Sequence, residues 1–175
     1  MTGPRKPRPP TIERLTRSAV HYLERYSSSQ ENLRKVLERR VLKACRHHGL
    51  DPADFTDMIE TVVRKCTGSG LVNDRTYAET KTASLRRRGG SRRKIEAQLA
   101  HKGVDRDTIQ SALDGGNVSE DEAAAVYARR RKLGPFRNAA DRQARRERDL
   151  AAMCRAGFSF DVALRVVDAA DDDVS

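Results

Sequence analysis

Six basic side chains stand around two glycines in "RRRGGSRRKIEAQL", residues 86–99: Arg86, Arg87 and Arg88 before them, Arg92, Arg93 and Lys94 after. Guanidinium and ammonium groups bind phosphate and carboxylate through charge and donated hydrogen bonds. A second cluster holds Arg129, Arg130, Arg131 and Lys132, followed by Arg142, Arg145 and Arg146. Residues 81–102 carry eight Lys and Arg against one acid, Glu96, and residues 127–148 carry nine against Asp141 and Glu147. This density exceeds what solubility requires, so these thirteen residues form the candidate binding set. Such a surface neutralises phosphates and releases counterions, which gives affinity without reading sequence. No aromatic residue interleaves with the arginines, so base stacking on a platform is not indicated. An acidic protein face would attract the same cations.

Catalytic chemistry finds little support. The chain has no G-x-x-x-x-G-K-[ST] loop for nucleotide phosphates and no H-E-x-x-H or paired-cysteine metal motif. Cys45 and His48 share a helical face, but no second ligand pair follows. Cys45 continues the apolar row of Leu37 and Val41, and Cys66 that of Ile59 and Val62, so both read as small core residues. His21, His47, His48 and His101 fall near helix ends or on polar faces. No catalytic residue, metal or cofactor is expected. Three widely spaced cysteines argue against a disulfide framework and for a reducing cytoplasm.

The position of Arg92, Arg93 and Lys94 is itself a signal. Gly89-Gly90-Ser91 reads as a turn and an N-cap, which puts three cations in the first turn of a helix. A helix N-terminus carries partial positive charge and favours acids. Ser119 with Glu120, Asp121 and Glu122 obeys that rule, and so does Ser28 with Glu31, at capping-box spacing. Only the helix after Ser91 opens on three cations, so an anion from elsewhere is expected there, a phosphate or an acidic side chain.

The elements that position these residues are helical. The 175-residue chain has a formal charge of +10, a pI near 10.0, mean hydropathy of -0.75, 37% hydrophobic residues and no tryptophan. Its apolar residues must therefore be placed sparingly, on amphipathic helices with wide solvated faces. Ile12, Leu15, Ala19 and Leu23 make the first such row; Leu33, Val36, Leu37 and Val41 the second; Phe55, Met58, Ile59, Val62 and Val63 the third. Continuing to the C-terminus gives nine helices and no period-2 alternation. No stretch is apolar enough to span a membrane, and "MTGPRKPRPP" has no apolar core behind its basic residues.

Gly49, Gly103 and Gly157 are spaced by 54 residues each. Leu50, Val104 and Phe158 follow them; Cys45, Leu99 and Met153 stand four places before; Met58-Ile59, Ala112-Leu113 and Val166-Val167 stand nine and ten places after. The pattern predicts an all-α fold of three tandem three-helix repeats forming an elongated, curved array. Expected boundaries are a disordered Pro/basic arm at 1–11, repeats at 12–72, 73–116 and 117–170, and an acidic tail at 171–175 that could compete with DNA for the basic clusters.

Several stretches resemble the RecX family, regulators of the RecA recombinase. "GLVNDRTYAE" carries a family signature at Gly70, Leu71, Asn73, Asp74, Tyr77 and Ala78. "RRGGSRRKIEAQLAHKGVDRDTIQSAL" carries another at Gly89 or Gly90, Ile95, Leu99, Lys102, Gly103 and Val104. "YSSSQENLRKVLERR" and "RAGFSFDVALRVVD" extend the likeness over about residues 12–170, weakest between Asp114 and Met153. The resemblance implies three helical repeats and a cytoplasmic, non-enzymatic protein. It also implies binding along the groove of the RecA–DNA filament, with reduced ATPase, strand exchange and co-protease activity. On this reading the partners are the filament and DNA phosphates, without sequence selectivity, and the chain acts as a monomer away from membranes. The competing expectation is a stand-alone DNA-binding helical protein with a reader helix after Gly103. Asp105 and Asp107 there would repel phosphates.

Overall fold

The computed structural model describes residues 7–170. The first part of the expected arm, 1–6, and the acidic tail, 171–175, lie outside the described residues. The described residues are all-helical, with no strand. Among the described residues nine α-helices run in order: α1 Ile12–Leu23, α2 Gln30–His48, α3 Thr56–Gly68, α4 Asp74–Arg87, α5 Arg92–His101, α6 Arg106–Asp114, α7 Glu120–Arg131, α8 Ala139–Arg155 and α9 Phe160–Val167. Short 3-10 turns at Pro52–Phe55 and Gly134–Phe136 precede α3 and α8.

Helix starts follow the polar caps in the sequence. Thr11, Ser29, Asp105, Ser119, Asn138 and Ser159 each accept a backbone N–H from the first turn that follows. The box at Ser119 and Glu122 is complete in both directions. The box expected at Ser28 and Glu31 does not form. The chain turns one residue later: Ser29 is the cap and accepts from Asn32 N–H, while Ser28 accepts from the Asn32 side chain. Glu31 is thereby released to pair with Arg34 and Lys35.

The chain divides into two compact units: residues up to Tyr77 with Lys102–Val104, and Ala78–His101 with the residues from Asp105 onward. In the first, α1, α2 and α3 close around Leu15, Ala19, Leu33, Leu37, Val41, Cys45, Ile59, Val62 and Cys66. Cys45 and Cys66 are buried free thiols, as their apolar rows predict, and burial raises both pKa values. Residues 7–11 of the expected arm are tied to these helices. Pro10 is buried, Arg14 donates to Pro9 O (2.8 Å) and His48 Nε2 lies 2.8 Å from Pro7 O.

In the second unit, α7, α8 and α9 pack around Ala123, Ala124, Ala128, Leu150, Met153, Phe158, Val162, Ala163 and Val166. The repeated glycines do what their spacing predicts. Gly49, Gly103 and Gly157 all have positive φ (66°, 75° and 95°) and end α2, α5 and α8 ahead of α3, α6 and α9. Cys45, Leu99 and Met153, four residues before them, are fully buried.

A basic surface around the Gly89 turn

Within the second unit, the basic stretch at 86–94 wraps the join of α4 and α5. After α4, Gly89 N–H donates to Arg86 O and Gly90 N–H to Leu85 O, both at 2.9 Å. Gly89 has φ 83°, and a Cβ there would fall 2.6 Å from Tyr127 N of α7. Only glycine permits this approach. It lays the end of α4 against α7, so that Arg130 donates to Arg88 O at 2.7 Å. The two clusters, 42 residues apart in sequence at this contact, therefore meet: Arg87 and Arg88 lie beside the helix end carrying Arg129, Arg130, Arg131 and Lys132.

Not every candidate cation is available. Arg86 is buried (4% exposed), donates to Val118 O (2.8 Å) and Gly90 O (3.3 Å), and pairs with Glu120 at 2.5 Å. It is a tether between α4 and the start of α7. Arg92 donates to Leu113 O (3.1 Å) and to Asp114 (2.6 Å), closing the C-terminal end of α6, where free carbonyls favour a cation. Arg142 donates to Arg137 O and Pro135 O, and Arg146 forms a two-bond pair with Asp168 (2.7 and 2.6 Å). Arg129 lies over the Phe136 ring, 5.2 Å from its centroid.

A carboxylate of the chain itself stands at the start of α5. Glu120 places both carboxylate oxygens 3.3 Å from Arg92 N. One carboxylate thus neutralises buried Arg86 and occupies the helix N-terminus. Ser91, the N-cap, accepts from Lys94 N–H (3.3 Å) and donates to Ala156 O (2.7 Å), which fixes α5 against the α8–α9 turn.

Nine candidates are exposed; besides Arg129 and Arg130, whose contacts are given above, these are Arg87, Arg88, Arg93, Lys94, Arg131, Lys132 and Arg145. The side chains of these last seven make no hydrogen bond or ion pair with the described residues. Lys132 is also the sole described non-glycine residue with positive φ (54°), at the C-cap of α7. Nothing in the sequence marks the second role of Glu120 or the partner of Asp149. Asp149 is buried (2% exposed), accepts from Arg137 (2.7 and 3.1 Å) and from Gly134 N–H (2.9 Å), and fixes the 3-10 turn to α8. Sequence reading passed over Arg155, exposed in the last turn of α8 two residues before Gly157. Among the described residues no group of three or more His, Cys, Asp or Glu could hold a metal, and no helix is long and apolar enough to cross a membrane.

Comparison with known proteins agrees with this organisation. Residues 73–113, from the cap of α4 to within one residue of the end of α6, match the family model described as RecX, second three-helix domain. The chain is 40% identical over 169 residues to the regulatory protein RecX of Myxococcus xanthus, covering 95% of this chain and 90% of that protein. It is 30% identical over 150 residues to the regulatory protein RecX of Agrobacterium fabrum, covering 86% of this chain and 79% of that protein. The chain belongs to the RecX family of regulatory proteins.

Proposed function

We propose that this chain is a non-enzymatic, cytoplasmic regulator that binds the RecA–DNA filament and lowers RecA's ATP hydrolysis, strand exchange and co-protease activity. Membership of a regulatory family supports the reading. The observation that carries it further is the convergence of exposed, uncompensated cations around the Gly89 turn: Arg87, Arg88, Arg93, Lys94, Arg131 and Lys132. These groups meet the filament through DNA phosphates and acidic protein side chains, by charge rather than base reading. In dilute solution the chain acts as a monomer. Arg86 and Arg92 serve this surface by shaping it, since their donors are already bound within the protein.

The test is RecA-driven ATP hydrolysis on single-stranded DNA titrated with this protein. Inhibition is expected at or below one chain per recombinase subunit. The combined variant Arg87→Glu, Arg88→Glu, Arg93→Glu should fold, because none of these side chains makes an internal bond, and should lose inhibition by at least about tenfold in concentration. A folded triple variant with full inhibition would reject this surface. A wild-type protein that leaves hydrolysis untouched but binds duplex DNA tightly and sequence-selectively would reject the regulator reading itself.

A further inference from the structure

The same docking device occurs twice in this chain. In the first unit, Ser29 caps α2 by accepting from Asn32 N–H, and its hydroxyl donates to Lys102 O (2.5 Å), the carbonyl just before Gly103. A Cβ on Gly103 would overlap the Glu31 side chain, two residues past the cap. Lys102 Nζ also donates to Asn32 Oδ1 at 2.9 Å, three residues past the cap. In the second unit, Ser91 caps α5 and donates to Ala156 O, the carbonyl just before Gly157. A Cβ on Gly157 would overlap Ser91 Oγ. Each device has two halves: an N-cap that accepts from its own helix while donating outward, and a left-handed glycine turn that receives it. Both serines are buried, at 0% and 1% exposure.

One half of each kind is left uncovered by the described residues. Gly49 has the same backbone (φ 66°), yet among the described residues no atom beyond its chain neighbours lies within 4 Å of where its Cβ would be. Leu50 after it is 39% exposed, whereas Val104 and Phe158 after the other two glycines are 5% and 4% exposed. Asn138 is the cap of α8, the helix equivalent to α2 and α5 in its group, and it is exposed. Its Oδ1 accepts from Ala140 N–H, so its amide Nδ2 is left to donate, as the serine hydroxyls do. Ala140, two residues past this cap, is small and exposed. Asp141, three residues past it, stands where Asn32 receives Lys102, and the last turn of α2 offers Arg46, His47 and His48.

We infer that the α8 N-terminus of one copy docks on the Gly49 turn of a second copy, with Asn138 Nδ2 donating to His48 O, Ala140 closing over Gly49 and Leu50 becoming covered. Such a contact is heterologous, so it propagates head to tail. Its small extent makes it weak in solution and effective where copies are already held side by side on a repeating partner. It does not depend on which partner that is.

Sedimentation equilibrium of the full chain tests this without any other component. Reversible association is expected as concentration rises toward the order of 0.1–1 mM, the range of small transient contacts. Asn138→Asp keeps the cap but loses the donor. Gly49→Asn tolerates the left-handed backbone but fills the seat. Each variant alone should associate at least about tenfold more weakly than wild type. Their equimolar mixture should regain wild-type affinity yet stop at a dimer, because each brings one intact half. A wild-type chain that stays monomeric throughout, variants that associate as it does, or a mixture no stronger than either variant would each overturn the inference.

Discussion

The stretch at 86–94 and the helix α8 look alike in sequence, two runs of arginine with few acids, and the fold binds part of each while leaving Arg145 of α8 exposed like the cations of the Gly89 turn. In α8 and the turn before it, Arg137, Arg142 and Arg146 are each bound within the protein, to Asp149, to two carbonyls and to Asp168. Around the Gly89 turn, Arg87, Arg88, Arg93 and Lys94 remain uncompensated while Arg86 and Arg92 are bound. Charge density in the sequence therefore does not measure available charge. The acids that decide the difference lie 12 to 34 residues away along the chain.

The sharpest way to break the contrast is at Asp149. Removing its carboxylate strands the Arg137 guanidinium and the buried Gly134 N–H together, so Asp149→Ala should cost about 3–5 kcal/mol in chemical denaturation. Asp149→Asn keeps the turn hydrogen bond and loses the charge, and should cost less. The pH dependence follows. Burial pushes the Asp149 carboxyl up, but its bonds from Arg137 and Gly134 outweigh that and hold it below its ordinary value of 3.8. A group depressed in the folded state contributes stability that is present above its unfolded pKa and lost as pH falls through the folded one. Wild-type stability should thus decline below about pH 4, and Asp149→Asn should flatten that decline. An unchanged acid slope would mean this pair does not hold α8 to its turn.

Arg86 is the counterpart on the other side, a buried basic residue bound within the protein as Arg137, Arg142 and Arg146 are. Arg86→Ala leaves Glu120 half-buried without its partner and Val118 O without a donor, for an expected loss of about 2–4 kcal/mol. Its effect on recombinase inhibition should track the unfolded fraction. Lost inhibition by a fully folded Arg86→Ala protein would instead make this buried side chain a contact residue.

What sequence reading could reach divides along the same line. Helices, their polar caps and the glycine turns are local: an apolar row at helical spacing or a glycine past a basic last turn carries its own explanation, and Gly49, Gly103 and Gly157 needed only three aligned registers to stand out. Where a local choice was close, the boundary slipped by one residue, from Ser28 to Ser29, because adjacent serines offer the same cap chemistry. The identity of the available cations was not legible. Glu120 reads in sequence as an ordinary first-turn acid of α7, and nothing near it announces that it also neutralises Arg86 and the start of α5. Asp149 stands four and three residues after Arg145 and Arg146, the spacing of a helical ion pair, yet its partner is Arg137 across a 3-10 turn.

The smallest expected effect draws the finest distinction, between two adjacent arginines. Arg92 and Arg93 follow the same cap, but the helix turns their side chains about 100° apart. Arg92 is directed to the end of α6, where it meets Leu113 O and Asp114. Arg93 is exposed, its Cβ 3.6 Å from where a side chain on Gly157 would begin. The Arg92–Asp114 pair is well solvated, so Arg92→Ala should cost only about 0.5–1 kcal/mol. Arg93→Ala should change stability by less than about 0.5 kcal/mol. Function should rank them the other way. Arg93→Ala should weaken recombinase inhibition and reduce its salt sensitivity, because one cation that faces outward has been lost. Arg92→Ala should leave both nearly unchanged once folding is matched. Equal inhibition by the two variants, measured across a salt series, would return Arg93 to the solvated face of a helix and remove the clearest difference between this turn and α8.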